Sequence, residues 1–306
     1  MDRLETFNQH RPLMFAIAYR MLSSVTETED MLQEAWIKWQ QTEAVVRSPK
    51  AFLSAIITRL CIDRLRSARI RRERYVGIWL PEPLAAENYQ DTAELSESLS
   101  FAFLILLDCL SPTERAIFLL REVFDYSYKE ISLIVGKSES NCRQMLSRSR
   151  RRIQKHKPSA LLSQSVRNQE EIISTFLTTW NAGDVRSLVS LMSDDVAFLS
   201  DGGGQVTAAR HPITNTQKVA RFLVAIRNSR LIPAIQPHLY ELNGLSGILN
   251  FTAKGLQSAF SFELSCKRIQ TIFAIVNPEK LRSIQTEASS PISKSHAVKV
   301  IQVPDS

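Results

Sequence analysis

Glycine divides this chain in two. Of the nine glycines only Gly77 and Gly136 fall within the first 155 residues, where apolar residues recur at helical spacing, as in Leu13, Met14, Ile17, Ala18, Met21 and Leu22. A stretch so poor in the residue that strained turns and bulges need reads as all-α. Past Lys157-Pro158 the other seven glycines appear together with alternating segments, such as Phe260, Phe262 and Leu264 between Ser261, Glu263 and Ser265. That period of two belongs to a half-buried strand, so the second half reads as α+β with a curved antiparallel sheet. A length of 306 residues suits about two domains. Hydrophobic residues at 44% and charged residues at 23% exclude a disordered or fibrous chain. Cys61, Cys109, Cys142 and Cys266 lack the spacing of a disulfide framework or a zinc site, so no metal or cofactor is expected. The charged N-terminus with Pro12, and the want of any apolar run long enough to span a bilayer, point to a cytoplasmic protein with no membrane partner.

Net charge is +7, and its placement says more than its size. Basic residues gather at Arg59, Arg64, Arg66, Arg69, Arg71, Arg72 and Arg74, then at Arg143, Arg148, Arg150, Arg151, Arg152, Lys155 and Lys157. These are two separate anion-binding candidates. Between them residues 82–97 hold five carboxylates and no base, behind Pro81 and Pro83, which reads as an extended acidic linker.

A helix over about 27–41 gathers Met31, Leu32, Ala35, Trp36 and Trp39 on one arc, at about 100° per residue. Its other face carries Glu29, Asp30, Gln33 and Glu34, with Ile37 among the carboxylates and Trp36 at the border. Such a face suits a protein contact, or is ordinary surface. A further helix over about 49–70 turns Leu53, Ile56, Ile57, Leu60 and Cys61 inward and runs into the first basic cluster.

Ser111-Pro112-Thr113-Glu114 combines an N-cap serine, a first-turn proline and a reciprocating glutamate. Ser127-Tyr128-Lys129-Glu130 repeats the box, its helix stops at Gly136, and after Lys137-Ser138 a basic helix starts near Glu139. Short capped helix, glycine turn and basic helix make a helix-turn-helix. Cys142, Met145, Leu146, Ser149 and Ile153 are its inward positions. The turn and the opposite face offer Ser138, Ser140, Asn141, Arg143, Gln144, Ser147, Arg148 and Arg151. Arginine and glutamine can bond guanine and adenine edges bidentately, and later arginines suit phosphates.

In the second half, two helices over 167–193 break at Asn181-Ala182-Gly183-Asp184, and a strand ends at Asp201-Gly202-Gly203-Gly204. A helix near 214–228 precedes a meander over about 232–242, 246–253, 257–265 and 269–276, with turns at Asn243-Gly244 and Lys254-Gly255. The last twenty residues carry no sustained pattern.

The segments FNQHRPLMFAIAYRMLSSVTETEDMLQEAWIKWQQ and SPKAFLSAIITRLCIDRLRSARIRRERY resemble region 2 of extracytoplasmic-function sigma factors of the sigma-70 family. SYKEISLIVGKSESNCRQMLSRSRRRI resembles their region 4. The second half is similar to the cone-shaped SnoaL-like (NTF2-like) domain fused to one sigma subgroup, through Trp79-Leu80-Pro81-Glu82-Pro83, Asp201-Gly202-Gly203-Gly204 and Asn277-Pro278-Glu279-Lys280-Leu281. Gln205 stands where that subgroup commonly has a base, and Asn215 where it often has glycine. The resemblance implies region 2 over 1–75, a linker over 76–97, region 4 over 98–157, a regulatory domain over 166–285 and a tail over 286–306. It implies promoter-directed transcription initiation with RNA polymerase core and promoter DNA as partners. Glu29, Asp30, Gln33, Glu34, Trp36 and Ile37 would meet the β′ clamp helices of the polymerase. Arg59, Arg64, Arg66, Arg69, Arg71 and Arg72 would meet the minus-ten element, and the helix from Glu139 the minus-thirty-five element. Trp79, Pro81, Glu82 and Pro83 would contact Asp201, Gly202, Gly203 and Gly204 in a regulatory joint. Three successive glycines serve either a close backbone approach, an N–H nest for a carboxylate such as Glu82, or a plain turn.

Two other readings compete. A one-component regulator would use the helix-turn-helix on an operator and a small ligand in the C-terminal domain, but leaves the first basic cluster without a role. Catalysis in the cone would need an acid/base pair, for which Asp201, His211 and His238 are the candidates. No arranged pair is legible in their spacing, so no enzymatic activity is expected.

Overall fold

The computed structural model describes residues 2–72, 75–85, 99–156, 166–229 and 235–288, and all statements below refer to these. Most of the acidic linker, the tail beyond 288 and Arg74 lie outside them, as do the side chains of Arg69, Arg71 and Arg72. Residues 2–72 and 99–156 form one compact unit; 75–85 join 166–229 and 235–288 in a second. The front of the linker thus belongs to the sheet-containing unit.

In the helical unit, α1 (Arg3–Leu22) is N-capped by Asp2 and ends at Ser23 with φ 57°. Then come α2 (Val25–Gln40) and α3 (Pro49–Arg72). Met14, Ile17, Ala18 and Met21 of α1 and Leu32 and Ala35 of α2 are buried with Leu53, Ile57 and Cys61 of α3. Ile56 and Leu60 are only half-buried, while Ser54 and Thr58 are fully buried. The stripe is rotated from the one expected because α3 is packed on both sides: α1 and α2 take one flank, and the helices over 112–122 and 128–135 take the other.

After α4 (Phe101–Leu106) and a single 3-10 turn comes α5 (Pro112–Glu122), and then α6 (Tyr128–Val135) and α7 (Glu139–His156), which form the helix-turn-helix. Both expected capping boxes are present, at Ser111/Glu114 and Ser127/Glu130. Gly136 closes α6 in the left-handed region with φ 66°, where a Cβ is disfavoured. Cys142, Leu146, Ser149 and Ile153 are buried, and Met145 half-buried.

In the second unit, α8 (Val166–Asn181) and α9 (Val185–Leu191) break at Asp184, whose carboxylate caps α9. They lead into β1 (Met192–Asp201), β2 (Ile213–Thr214), α10 (Thr216–Arg227), β3 (Gln236–Leu242), β4 (Leu245–Thr252), β5 (Gly255–Ser265), β6 (Arg268–Ile275) and α11 (Pro278–Ala288). Strand order is β2-β1-β6-β5-β4-β3. The sheet is antiparallel as expected except for the β1/β6 pair, which is parallel because the first strand returns beside the last only after α10 and the meander. Register shifts in β1/β6, β4/β5 and β5/β6 supply the bends that curve a sheet. Asn243 and Gly244, with φ 54° and 73°, make the two-residue β3–β4 turn the sequence announces. Cys266 and Lys267 adopt φ 50° and 63° in the β5–β6 turn without any such signal. The helix α11 is a further difference, although Asn277-Pro278 is an N-cap followed by a first-turn proline.

The sheet's helix-covered face holds an aromatic core. Phe176 meets Phe262 at 5.1 Å, Phe198 meets Phe222 at 5.2 Å, and Trp180 lies 5.5 Å from Phe260. The Trp180 indole N–H donates to the Leu223 carbonyl at 2.8 Å, so the ring is buried without stranding its one polar atom. These rings pack on one another where a cone would offer its interior. Trp180→Ala is expected to destabilise this unit by about 3–5 kcal/mol, and Gly136→Ala the helical unit by about 1–2 kcal/mol through backbone strain alone, both read from urea unfolding curves.

Candidate functional site

The acidic face of α2 is built as the sequence suggests. Asp30, Gln33, Glu34 and Ile37 are exposed, Ile37 at 51%. Trp36 is half-buried and held edge-on by Phe7, ring centroids 5.0 Å apart. Glu29 accepts from Arg11 at 2.6 Å, and Glu34 pairs with Lys38 at 3.5 Å, so part of the charge is internally screened. An exposed isoleucine beside an anchored indole and acidic side chains is a surface with a partly apolar centre and a polar rim.

The arginines of α3 divide by partner. Arg64 pairs with Glu27 of α2 at 2.9 Å, and Arg66 with Asp63 at 3.1 Å. Arg59 donates from Nε to the Ile134 carbonyl at 2.8 Å and from Nη2 to the Leu133 carbonyl at 2.7 Å. Those carbonyls belong to the last turn of α6, whose orphan acceptors and negative dipole end favour a guanidinium. In this arrangement Arg59 is a cap for the helix-turn-helix. Sequence reasoning had no means to see it, since the partners lie 75 positions away.

Two further contacts hold the helical unit together. Ser54 and Tyr126 share a buried hydroxyl hydrogen bond of 2.7 Å. Arg115, almost wholly buried, donates to the Met21 carbonyl at 2.7 Å and pairs with Asp108. Burial outweighs the Ser54 bond and pushes the Tyr126 phenol up, keeping it protonated at neutral pH. None of these residues was a sequence candidate.

On α7, Ser140, Asn141, Arg143, Gln144, Ser147, Arg148 and Arg151 are all exposed. Ser138 acts as the helix N-cap, accepting from Asn141 N–H at 3.3 Å. Counting about 100° per residue, Gln144, Arg151 and Ser140 stand opposite the buried Cys142, Leu146 and Ile153, whereas Arg143 stands on the flank. Arg150 and Arg152 of the second basic cluster point back to α5, onto Glu122 at 2.8 Å and Glu114 at 2.7 Å.

The most concentrated polar cluster lies at the end of β1. Asp201 has no solvent exposure. One carboxylate oxygen accepts from the Tyr75 hydroxyl at 2.5 Å and from Gly203 N–H at 3.0 Å. The other accepts from Leu80 N–H at 2.8 Å and from Lys280 Nζ at 2.7 Å. Lys280 also donates to the Leu80 carbonyl and sits 4.2 Å from the centre of the Trp79 ring. Asn277 donates to the Tyr75 oxygen at 3.1 Å. Burial first, then the bond to Asp201, raises the Tyr75 phenol well above its ordinary range, so it remains a donor.

A second tether holds the far end of the same segment. Leu84 N–H donates to Asn243 Oδ1 at 2.9 Å, Asn243 N–H donates to the Leu84 carbonyl at 2.8 Å, and Ala85 bridges to Leu242. Pro81, Glu82 and Pro83 are buried between the two tethers, and Trp79 is half-buried. A Cβ on Gly202 would meet the Val206 carbonyl at 2.5 Å, and one on Gly203 would enter the Asn277 side chain. The glycine run is therefore a close approach of backbone, and the carboxylate at its Gly203 N–H is that of Asp201. Gln205 bonds Glu279 at 2.9 Å, a neutral partner in the place of a base. Asn215 adopts φ 81°, which explains how it fills a position that also suits glycine.

The acid/base candidates stand apart. Asp201 is engaged in this clasp and His211 is exposed on the following loop. His238 lies on β3, four strands from β1, packed against Phe251 at 5.4 Å. Among the described residues no group of three or more His, Cys, Asp or Glu side chains is placed to hold a metal ion.

Comparison with known proteins agrees with the two helical assemblies. The model of Sigma-70 region 2 matches residues 6–71, and that of Sigma-70 region 4 matches residues 101–153. The ECF RNA polymerase sigma factor SigJ of Mycobacterium tuberculosis is 30% identical over 297 residues, covering 92% of each chain. A probable ECF RNA polymerase sigma factor, SigI, of the same species is 25% identical over 91% of this chain and 94% of its own. The crystal structure of M. tuberculosis SigJ superposes with a TM-score of 0.72 and 27% identity, over 91% of this chain and 98% of that one. With both sigma regions matched and the similarity running through the α+β unit as well, the chain belongs to the ECF sigma factors of RNA polymerase.

Proposed function

We propose that this sigma factor engages core polymerase through the exposed face of α2, meets the minus-ten element with α3 and reads the minus-thirty-five element with α7, acting in the cytoplasm where the polymerase is. Its C-terminal unit regulates it in cis through the segment that follows α3. The observation that carries the regulatory part is the burial of Asp201 against Tyr75, Leu80 and Lys280. A buried carboxylate answered by a lysine and two donors from a linker is costly to open in pieces, so the clasp is either closed or released as a whole. Its state sets how much chain is free after region 2. The acidic residues that follow, 87–97, are poor in bases and would act as a nucleic-acid mimic in the polymerase cleft.

On the DNA side, Arg148 and Arg151 suit phosphate and Gln144 a base edge, given their exposure on the outward arc of α7. On the polymerase side, Ile37 and Trp36 supply the apolar part of the contact and Asp30 and Glu34 its charge.

The test is run-off transcription with bacterial core polymerase on genomic fragments that include the region upstream of this protein's own gene. Initiation is expected to depend on the full chain. Asp30→Lys with Glu34→Lys should weaken core binding at least ten-fold at low salt while leaving the circular dichroism spectrum unchanged; unaltered binding would remove the assignment of α2. Asp201→Ala strands Lys280 and should cost the C-terminal unit about 3–5 kcal/mol. It should also change transcript yield without changing start sites, and an unchanged yield would reject regulation through the clasp.

A further inference from the structure

Tyr128 opens α6 and has no assigned part in DNA contact, yet its ring makes cation–π contacts with two guanidiniums. Arg143 Cζ stands 4.6 Å from the ring centroid and Arg121 Cζ 5.5 Å. The Tyr128 backbone is held in the Ser127 capping box, where Ser127 N–H donates to Glu130 at 2.8 Å. Arg121 is itself anchored to Asp125 at 3.2 Å and to the Tyr126 carbonyl at 2.9 Å. Arg143 is additionally bonded through Nη2 to Glu139 one turn back, at 3.0 Å.

An exposed arginine on a helix flank samples many rotamers and loses that freedom when it binds. A cation–π contact restrains the guanidinium without using its N–H groups as hydrogen-bond donors to the ring. Ring and carboxylate together hold the Arg143 guanidinium at two points. Among the described residues, Gln144, Arg148 and Arg151 on the outward arc of the same helix have no such aromatic ring against them.

We propose that Tyr128 is a positioning residue for promoter recognition: its ring presets the Arg143 guanidinium, so that Arg143 contributes base discrimination from the flank of α7. This rests on the reading of α7 as the recognition helix. Removing the ring leaves the arginine in place and unconstrained, so the loss should fall on discrimination at the bases that Arg143 touches. Loss of an exposed cation–π contact corresponds to roughly two- to five-fold in that preference.

The experiment uses the full chain assembled with core polymerase and a pool of duplexes with a randomised upstream window, sequenced before and after binding. Arg143→Ala is expected to flatten base preference at one or two positions of the upstream element. Tyr128→Leu and Tyr128→Met should each reduce preference by roughly two- to five-fold at those same positions, and Tyr128→Phe, which keeps the ring, should retain it. The double variant Tyr128→Leu with Arg143→Ala should be no flatter than Arg143→Ala alone. Equal weakening on all sequences, flattening at other positions, additivity in the double variant or failure of phenylalanine to restore preference would each overturn the proposal. Should Arg143→Ala flatten positions that the Tyr128 variants leave sharp, the proposal alone falls. If Arg143→Ala alters no base preference, the reading of Arg143 as a base contact falls with it.

Discussion

A carboxylate with no access to water has to be answered by the protein, and half of the donors that answer Asp201 come from a segment of chain more than a hundred residues away. Tyr75 and the Leu80 backbone supply two of its donors, Lys280 a third and Gly203 a fourth. Deleting any one leaves charge or a donor stranded in a dry site, which is why breaking such a cluster costs more than forming it appears to yield. The consequence is architectural. Residues that read as the start of an extended linker become an integral piece of the sheet-containing unit, pinned at β1 by Asp201 and at the β3–β4 turn by Asn243. The glycine run, the Asn277 side chain and α11 are all arranged around that requirement. Gly202 and Gly203 let the backbone pass, Asn277 caps α11 and reaches Tyr75, and α11 delivers Lys280.

The helical unit solves a similar problem with arginine. Arg59 satisfies the carbonyls at the end of α6, Arg115 reaches the end of α1, and Arg150 and Arg152 return to carboxylates on α5. Arginine suits these positions because it carries several in-plane donors and can bury its stem while its head finds a carbonyl or a carboxylate. Basic residues counted together as an anion-binding cluster are therefore a mixture. Some hold helices together, and others, such as Arg148 and Arg151, face outward. Charge density alone does not separate the two, since the partner that makes an arginine structural lies elsewhere in the chain.

Much of this protein was legible before any coordinates. The two capping boxes, the Gly136 stop, the Asn243-Gly244 hairpin and the α2 face with exposed Ile37 all follow from neighbours within a few residues, and all are present. Errors arose where a residue's environment is set from outside its own element. The α3 stripe was placed a fraction of a turn away because the helix is covered on two sides, bringing Ser54 and Thr58 inside. The Cys266-Lys267 turn carries no turn residue, and the parallel β1/β6 pair has no signature in either strand. The Asn277-Pro278 start of α11 was present in the sequence and read only as a motif.

The sequence by itself determined the division into a helical and an α+β half and the helix-turn-helix with its outward residues, because glycine placement, periodicity and caps act locally. Only the tertiary structure decided that residues 75–85 belong to the second unit, that Asp201 is the centre of a clasp, that Arg59 caps α6 and that Tyr128 makes a cation–π contact with Arg143. Each of these is a desolvated or cation–π contact whose partner is chosen by how the elements pack, and packing is a property of the whole unit rather than of any stretch of residues within it.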